Sequence, residues 1–127
     1  MAIRTELSLR LPNSPGALAH LCELLIGSRL NLLAMHLESS GRLRFVVDNP
    51  LHAAFTLREA NHQVEEREVL FAQVPNSPGA LARMARRLAD SGVNVEYAYA
   101  SAVEDAPMTA VVFGVTDAQR AATAAGL

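Results

Sequence analysis

The stretch PNSPGALA at Pro12–Ala19 occurs twice: Pro75–Ala82 spells the same eight residues, 63 positions further along. The same offset sets Leu18 against Leu81, Leu21 against Met84, Cys22 against Ala85 and Leu25 against Leu88. It also sets Asn31 of SRLNLLAMHL against Asn94 of SGVNVEYAYA. An identity of this length followed by matching periodicity reads as two copies of one unit.

Working outward from the first copy, Ile3, Thr5, Leu7, Leu9 and Leu11 alternate with Arg4, Glu6, Ser8 and Arg10, the period of a half-buried strand. Asn13-Ser14-Pro15-Gly16 stops it. Ser14 suits an N-cap and Pro15 the first helical position, and Leu18, Leu21, Cys22 and Leu25 predict a helix from Pro15 to about Ser28. Leu30–Glu38 and Leu43–Asp48 read as a strand pair turned by Ser39-Ser40-Gly41. Asn49-Pro50 repeats the cap-then-proline signal and opens a helix to about Ala60, after which Val64 onward is extended. The order is β-α-β-β-α-β, an α+β, ferredoxin-like arrangement with helices on one face of an antiparallel sheet.

The second copy follows suit, with strands expected at Val69–Val74, Val93–Ser101 and Met108–Val115, and a helix from Pro78 to Ser91. Its hairpin is about three residues longer, through Val103, Glu104 and Asp105, and Thr116-Asp117-Ala118-Gln119 reads as a capping box for the last helix. The expected units are residues 1–68 and 69–127, the second lacking a final strand of its own. HQVEEREVLFAQVP has neither Gly nor Ser, so one nearly uninterrupted strand is expected to end the first unit and begin the second. The edge left open in the second unit must then be covered by the rest of the chain or by a second chain.

Composition narrows the chemistry. Among 127 residues, half of them hydrophobic, all 11 basic residues are arginine. Without lysine there is neither a Schiff-base nucleophile nor a Gly-Lys-Ser/Thr phosphate loop. The single cysteine, Cys22, forbids an internal disulfide and any multi-cysteine zinc site; on its helix it reads as a buried small hydrophobe. Net charge −2 gives no general attraction to nucleic acid or to an anionic membrane, and no apolar run reaches the length of a span. MAIRTELSLRLP lacks a secretory apolar core, which places the chain in the cytoplasm.

His20, His36, His52 and His62 have no metal-ligand spacing, so no metal and no cofactor is expected. Tyr97 and Tyr99 read as packing rings, and Arg83, Arg86, Arg87 and Asp90 as a solvated helix face. No paired carboxylates and no Gly-x-Ser-x-Gly elbow are present, so no enzyme is expected.

Asn-x-Pro-Gly-x-Leu between a strand and a helix, followed by Asn at the next strand, resembles the ACT domain. The pattern occurs as Asn13, Pro15, Gly16, Leu18 with Asn31, and as Asn76, Pro78, Gly79, Leu81 with Gly92, Val93 and Asn94. Ser28-Arg29 replaces the usual glycine before Asn31. The resemblance implies a small amino-acid-binding regulatory module, here as a stand-alone tandem protein sensing a small amino acid. Asn13, Ser14, Gly16, Asn31, Asn76, Ser77, Gly79 and Asn94 are its candidate ligand-binding residues. Their chemistry fits: a helix N-terminus attracts a carboxylate, Gly admits a ligand to the backbone, and Asn offers both donor and acceptor. The expected partners are an amino acid, a second copy in a homodimer, and a biosynthetic enzyme. The alternative is a ligand-free regulatory or interaction subunit of such an enzyme, and a small ferredoxin-like enzyme stands behind it.

Overall fold

The computed structural model describes residues 3–127. Met1 and Ala2, which the sequence reading counted in its first unit, lie outside the described residues. Six strands and four helices follow in the order β1 (Ile3–Arg10), α1 (Ala17–Gly27), β2 (Leu32–Leu37), β3 (Arg42–Val47), α2 (Pro50–Glu59), β4 (Glu65–Pro75), α3 (Ala80–Asp90), β5 (Val95–Ser101), β6 (Met108–Val115) and α4 (Ala118–Ala125). The class is α+β, as the periodicities predict.

Two compact units emerge among the described residues, Thr5–Arg67 and a second comprising Glu68–Leu127 with Ile3 and Arg4. In the first, strand order is β2-β3-β1 with antiparallel registers such as Leu7↔Phe45 and Met35↔Phe45. Its core joins Leu7, Leu9, Leu43, Phe45 and Val47 of the strands to Leu21 and Leu25 of α1 and Ala53, Ala54 and Leu57 of α2. Both helices therefore cover the same face of the strands. In the second, the order is β4-β6-β5, with Leu70↔Phe113 and Ala98↔Phe113 in register. Leu70, Ala72, Val74, Val111, Phe113 and Val115 meet Leu88 of α3 and the alanine face of α4.

The joining segment is a single strand, β4, as its composition predicts. The start of the chain is where the second unit finds extra cover. Ile3 packs on that unit's core, and the Arg4 guanidinium lies 4.8 Å from the Phe71 ring centroid.

Pro-Gly does not act as the sequence reading supposed. Ser14 is not the N-cap and Pro15 is not helical. Ala17 N–H donates to the Ser14 carbonyl (3.3 Å), and Gly16 has φ 86° and ψ −10°. Those are the marks of a type II turn, with Pro at its second position and Gly at its third, where φ must be positive. Gly16 is itself the N-cap, its carbonyl accepting from His20 N–H at 2.9 Å. Ser77-Pro78-Gly79-Ala80 does the same, with Gly79 at φ 84°. Asn49, by contrast, caps α2 as expected, its side chain accepting from His52 N–H at 3.2 Å. The capping box at Thr116 is displaced by one residue. Asp117 caps α4 through Arg120 N–H, Thr116 Oγ1 meets Glu96, and Gln119 Nε2 donates to Glu68 Oε2.

All four helices end alike. In α1, Leu30 N–H reaches the Leu25 carbonyl (3.0 Å) and Arg29 N–H the Ile26 carbonyl (2.9 Å). This is the Schellman pattern, which needs a left-handed residue just past the helix. That position is held by Arg29, Asn61, Gly92 and Gly126. Arg29, at φ 58°, is the costly choice among them.

The strand face turned away from the helices departs from simple alternation. In β1, Glu6 is only 2% exposed. Across the strands, the half-buried Arg42 and Arg44 stems lie on the same face as buried Val46, and Arg42 Nη1 donates to Ser8 Oγ. Long arginine stems thus shield a face that alternation alone assigns to water. In the second unit, Tyr97 and Tyr99 stack with centroids 6.4 Å apart, and Tyr97 lies over Gly114, its register partner. A Cβ at Gly114 would stand 2.2 Å from the Tyr97 ring. Cys22 is half-buried and not fully enclosed, because it sits at the rim of the α1 apolar stripe.

Two stability outcomes follow. Arg29→Gly relieves the left-handed strain and, after the added freedom of glycine in the unfolded chain, stabilises by about 0.5–1 kcal/mol in urea unfolding. Gly114→Ala forces the Tyr97 ring off the sheet and costs about 1–3 kcal/mol. In a Tyr97→Ala background most of that penalty disappears, which a double-mutant cycle measures.

Candidate functional site

The Pro-Gly turns leave α1 and α3 with no side-chain cap, whereas Asn49 and Asp117 occupy the N-termini of α2 and α4. Glycine at the N-cap has no side chain to offer, so the first-turn amides keep their positive end toward solvent. At α1 this end opens into a cavity of about 350 Å³ in the first unit. Asn13, Ser14 and Gly16 line one side of it, and Leu37, Glu38 and Ser39 line another. A Cβ built on Gly16 meets nothing within 4 Å, so the turn is open to a ligand. The helix start offers this cavity N–H donors, while the carboxylate of Glu38 is ion-paired with the Arg44 guanidinium.

Asn31 is not part of that cavity. It follows the far end of α1, whose 11 residues span about 16 Å at the usual rise. There Asn31 N–H donates to Asp48 Oδ1 (3.0 Å), and its carbonyl accepts from Asp48 N–H (3.2 Å).

In the second unit, Asn76 has structural work. Its Nδ2 donates to the carbonyls of Val103 (2.8 Å), Glu104 (3.2 Å) and Ala106 (2.8 Å), while its backbone N–H reaches Pro107 O (2.9 Å). The longer hairpin noted in the sequence is what brings these carbonyls within reach. Ser77 supplies the turn carbonyl for Ala80. Gly79 lies beside Arg83, whose Nη1 is 3.2 Å from the place a Cβ would take, so a cation the motif did not reveal stands at this helix start.

Asn94 lies past the far end of α3, in a separate cavity of about 280 Å³ lined also by Ser91, Gly92, Asp117 and Arg120. The eight candidate residues are thus distributed over loops at both ends of α1 and α3. Sequence reasoning missed Glu38 and Arg120, which tertiary structure brings to these cavities, and Arg83, one helical turn beyond Gly79.

His20, His36 and His52 are exposed and His62 is half-buried. Among the described residues there is no group of three or more His, Cys, Asp or Glu able to hold a metal ion. Nor is any helix among them long and apolar enough to cross a membrane.

The contrast between the two asparagines predicts different responses to truncation. Asn76→Ala releases the 103–107 hairpin and destabilises by about 1–2 kcal/mol, with faster amide exchange through that loop. Asn13→Ala leaves the unfolding midpoint within about 0.5 kcal/mol of the parent.

Comparison with known proteins places these features. No curated protein matches the chain. Protein BT0572 from Bacteroides thetaiotaomicron is similar in structure, with a TM-score of 0.86 and 28% identity over 97% of this chain and 86% of that one. The regulatory subunit of aspartate kinase from Thermus flavus shares the fold at TM-score 0.66 and 16% identity, covering 99% of this chain and 95% of that one. Its counterpart from Thermus thermophilus, in a ligand-free form, gives 0.68 and 17%, with coverage of 99% and 95%. The ACT domain model matches residues 69–125. The matched segment is the one that carries the second Pro-Gly turn and the α-β-β-α order after β4.

Proposed function

We propose that the chain is a stand-alone regulatory protein built of two ACT-like units, 1–68 and 69–127, which senses a small amino acid. Support for a second unit is the repeated PNSPGALA together with geometry that recurs at the same offset of 63 residues. Gly16 and Gly79 share the turn conformation, and Arg29 and Gly92 share the left-handed helix end. Strand bulges also recur, at Leu32/Ala34 and Val95/Tyr97.

The ligand reading rests on one observation: the uncapped N-terminus of α1 facing a 350 Å³ cavity that Glu38 also lines. An amino acid presents a carboxylate for the helix amides and an ammonium group for the Asn13 amide oxygen and for the Glu38 carboxylate, which it would share with Arg44. Asn13, Ser14 and Gly16 are the contacts assigned to this site. Ser77 and Gly79, with Arg83 for the carboxylate, form the corresponding loop in the second unit, and Asn76 orients it through the hairpin. Asn31 and Asn94, remote within their own units, contribute in a homodimer by meeting a loop of the partner chain. Amino-acid binding regulates by favouring one assembly over another, which requires different affinity for the two states. The likeness to regulatory subunits of aspartate kinase supports a separate biosynthetic enzyme as the regulated partner, in the cytoplasm, with this chain contributing no catalysis itself.

Titration calorimetry with each of the twenty amino acids tests the reading. One or a few small amino acids are expected to give saturable heats that weaken about tenfold or more in Asn13→Ala. Silence from all twenty, with an enzyme co-purifying, selects the ligand-free interaction subunit instead.

A further inference from the structure

The first unit holds a second concave site, distinct from the one at Asn13 and sharing no residue with it. It measures about 340 Å³ and is lined by Ser8, Arg10, Arg42, Asn61, His62 and Glu65. Arg10 and Arg42 are direct register partners across the antiparallel pair of β1 and β3. Like charges set opposite each other in a sheet are destabilising, so this placement needs an opposing charge. The protein's own groups answer it only in part. Arg10 spends one Nη1 donor on the Ser40 carbonyl (2.9 Å). Arg42 reaches Ser8 Oγ at 3.4 Å and faces Glu65 at 3.7 Å, an acid that is itself 75% exposed. Glu66, the next carboxylate, is engaged by Arg58 at 3.1 Å. Two guanidinium groups against one solvated carboxylate leave the cavity with excess positive charge, and among the described residues the partners of these two side chains are the Ser40 carbonyl, Ser8 and Glu65 alone.

From this geometry we propose that the cavity binds a small oxyanion, a carboxylate or a phosphate group, held between Arg10 and Arg42. Planar guanidinium forks match both anions in paired hydrogen bonds. The loop of Asn61 and His62 closes one wall. Asn61 takes φ 69° to end α2, and His62 N–H returns to the Leu57 carbonyl (3.0 Å), so the wall is fixed by the helix end. Polar side chains on that wall add donors for the anion's outer oxygens. A cavity of this size admits a small molecule and not a polymer backbone.

The test is a titration of the full chain with sodium phosphate and, separately, with sodium succinate. Both are followed by amide chemical shifts at constant ionic strength, with chloride as the reference salt. Saturable shifts are expected at Ser8, Arg10, Arg42 and residues 61–63. Saturation by one anion alone identifies its class, and mutual competition identifies a general oxyanion site. Arg10→Gln and Arg42→Gln should each weaken binding by about tenfold. Thermal melting, or the wild-type shift map alone, keeps the test valid if a variant folds poorly. The proposal is overturned by shifts linear in anion concentration, by unchanged affinity in folded variants, or by shifts centred on residues 13–17. That last result would move the anion to the Asn13 cavity, and unaltered amino-acid binding in the arginine variants keeps the two sites separable.

Discussion

A backbone constraint at Pro15-Gly16 and Pro78-Gly79 governs much of this structure. Proline fixes its own φ, and the type II turn then demands positive φ at the next residue, a conformation that costs glycine little. The turn redirects the chain from strand to helix within four residues. It also places glycine at the N-cap, a position where Ser, Thr, Asn or Asp would turn its own oxygen onto the helix amides. Asn49 and Asp117 do this for α2 and α4. At α1 and α3 the same amides are left for whatever approaches from outside. A local conformational requirement thereby leaves two helix starts without a side-chain cap.

The opposite helix ends obey an equally local rule with a wider consequence. Each closes on a left-handed residue whose successor carries the returning N–H: Leu30, His62, Val93 and Leu127, all apolar but His62. Leu30 and Val93 thereby join the cores that receive the next strand. This geometry fixes where Asn31 and Asn94 lie. They begin strands at the end of the helix remote from the Pro-Gly turn, so proximity in the motif does not become proximity in a unit. Asn31 is thus absent from the cavity that Asn13 lines.

Much of the fold was legible because its signals are periodic and local. Alternation defines β1, helical spacing defines α1 and α3, and Asn49-Pro50 announces its cap correctly. The uninterrupted β4 could be read from the lack of any turn residue in HQVEEREVL. What escaped had nonlocal causes. Ser14 and Pro15 suit a helix start as well as a turn, and only the hydrogen bond from Ala17 to Ser14 decides between them. Burial of Glu6 depends on stems arriving from β3, and the work of Asn76 depends on carbonyls 27 to 30 residues away. Candidate site residues were therefore legible as members of loops, but their scatter over both ends of two helices was not.

The asparagines at 13 and 76 show how little is needed to separate two identical octapeptides in function. Both precede the same Ser-Pro-Gly turn, and both follow a strand that pairs with the third strand of its unit. A few added residues in the second hairpin bring the carbonyls of Val103, Glu104 and Ala106 onto Asn76. In the first unit the hairpin is closed tightly by Gly41, at φ 94°, whose carbonyl accepts from Leu11 N–H at 2.7 Å. That short turn contributes Glu38 and Ser39 to the Asn13 cavity in place of a clamp. Hairpin length thus decides whether the repeated asparagine is clamped by carbonyls or lines a cavity. Two loops with the same eight letters need not carry the same duty.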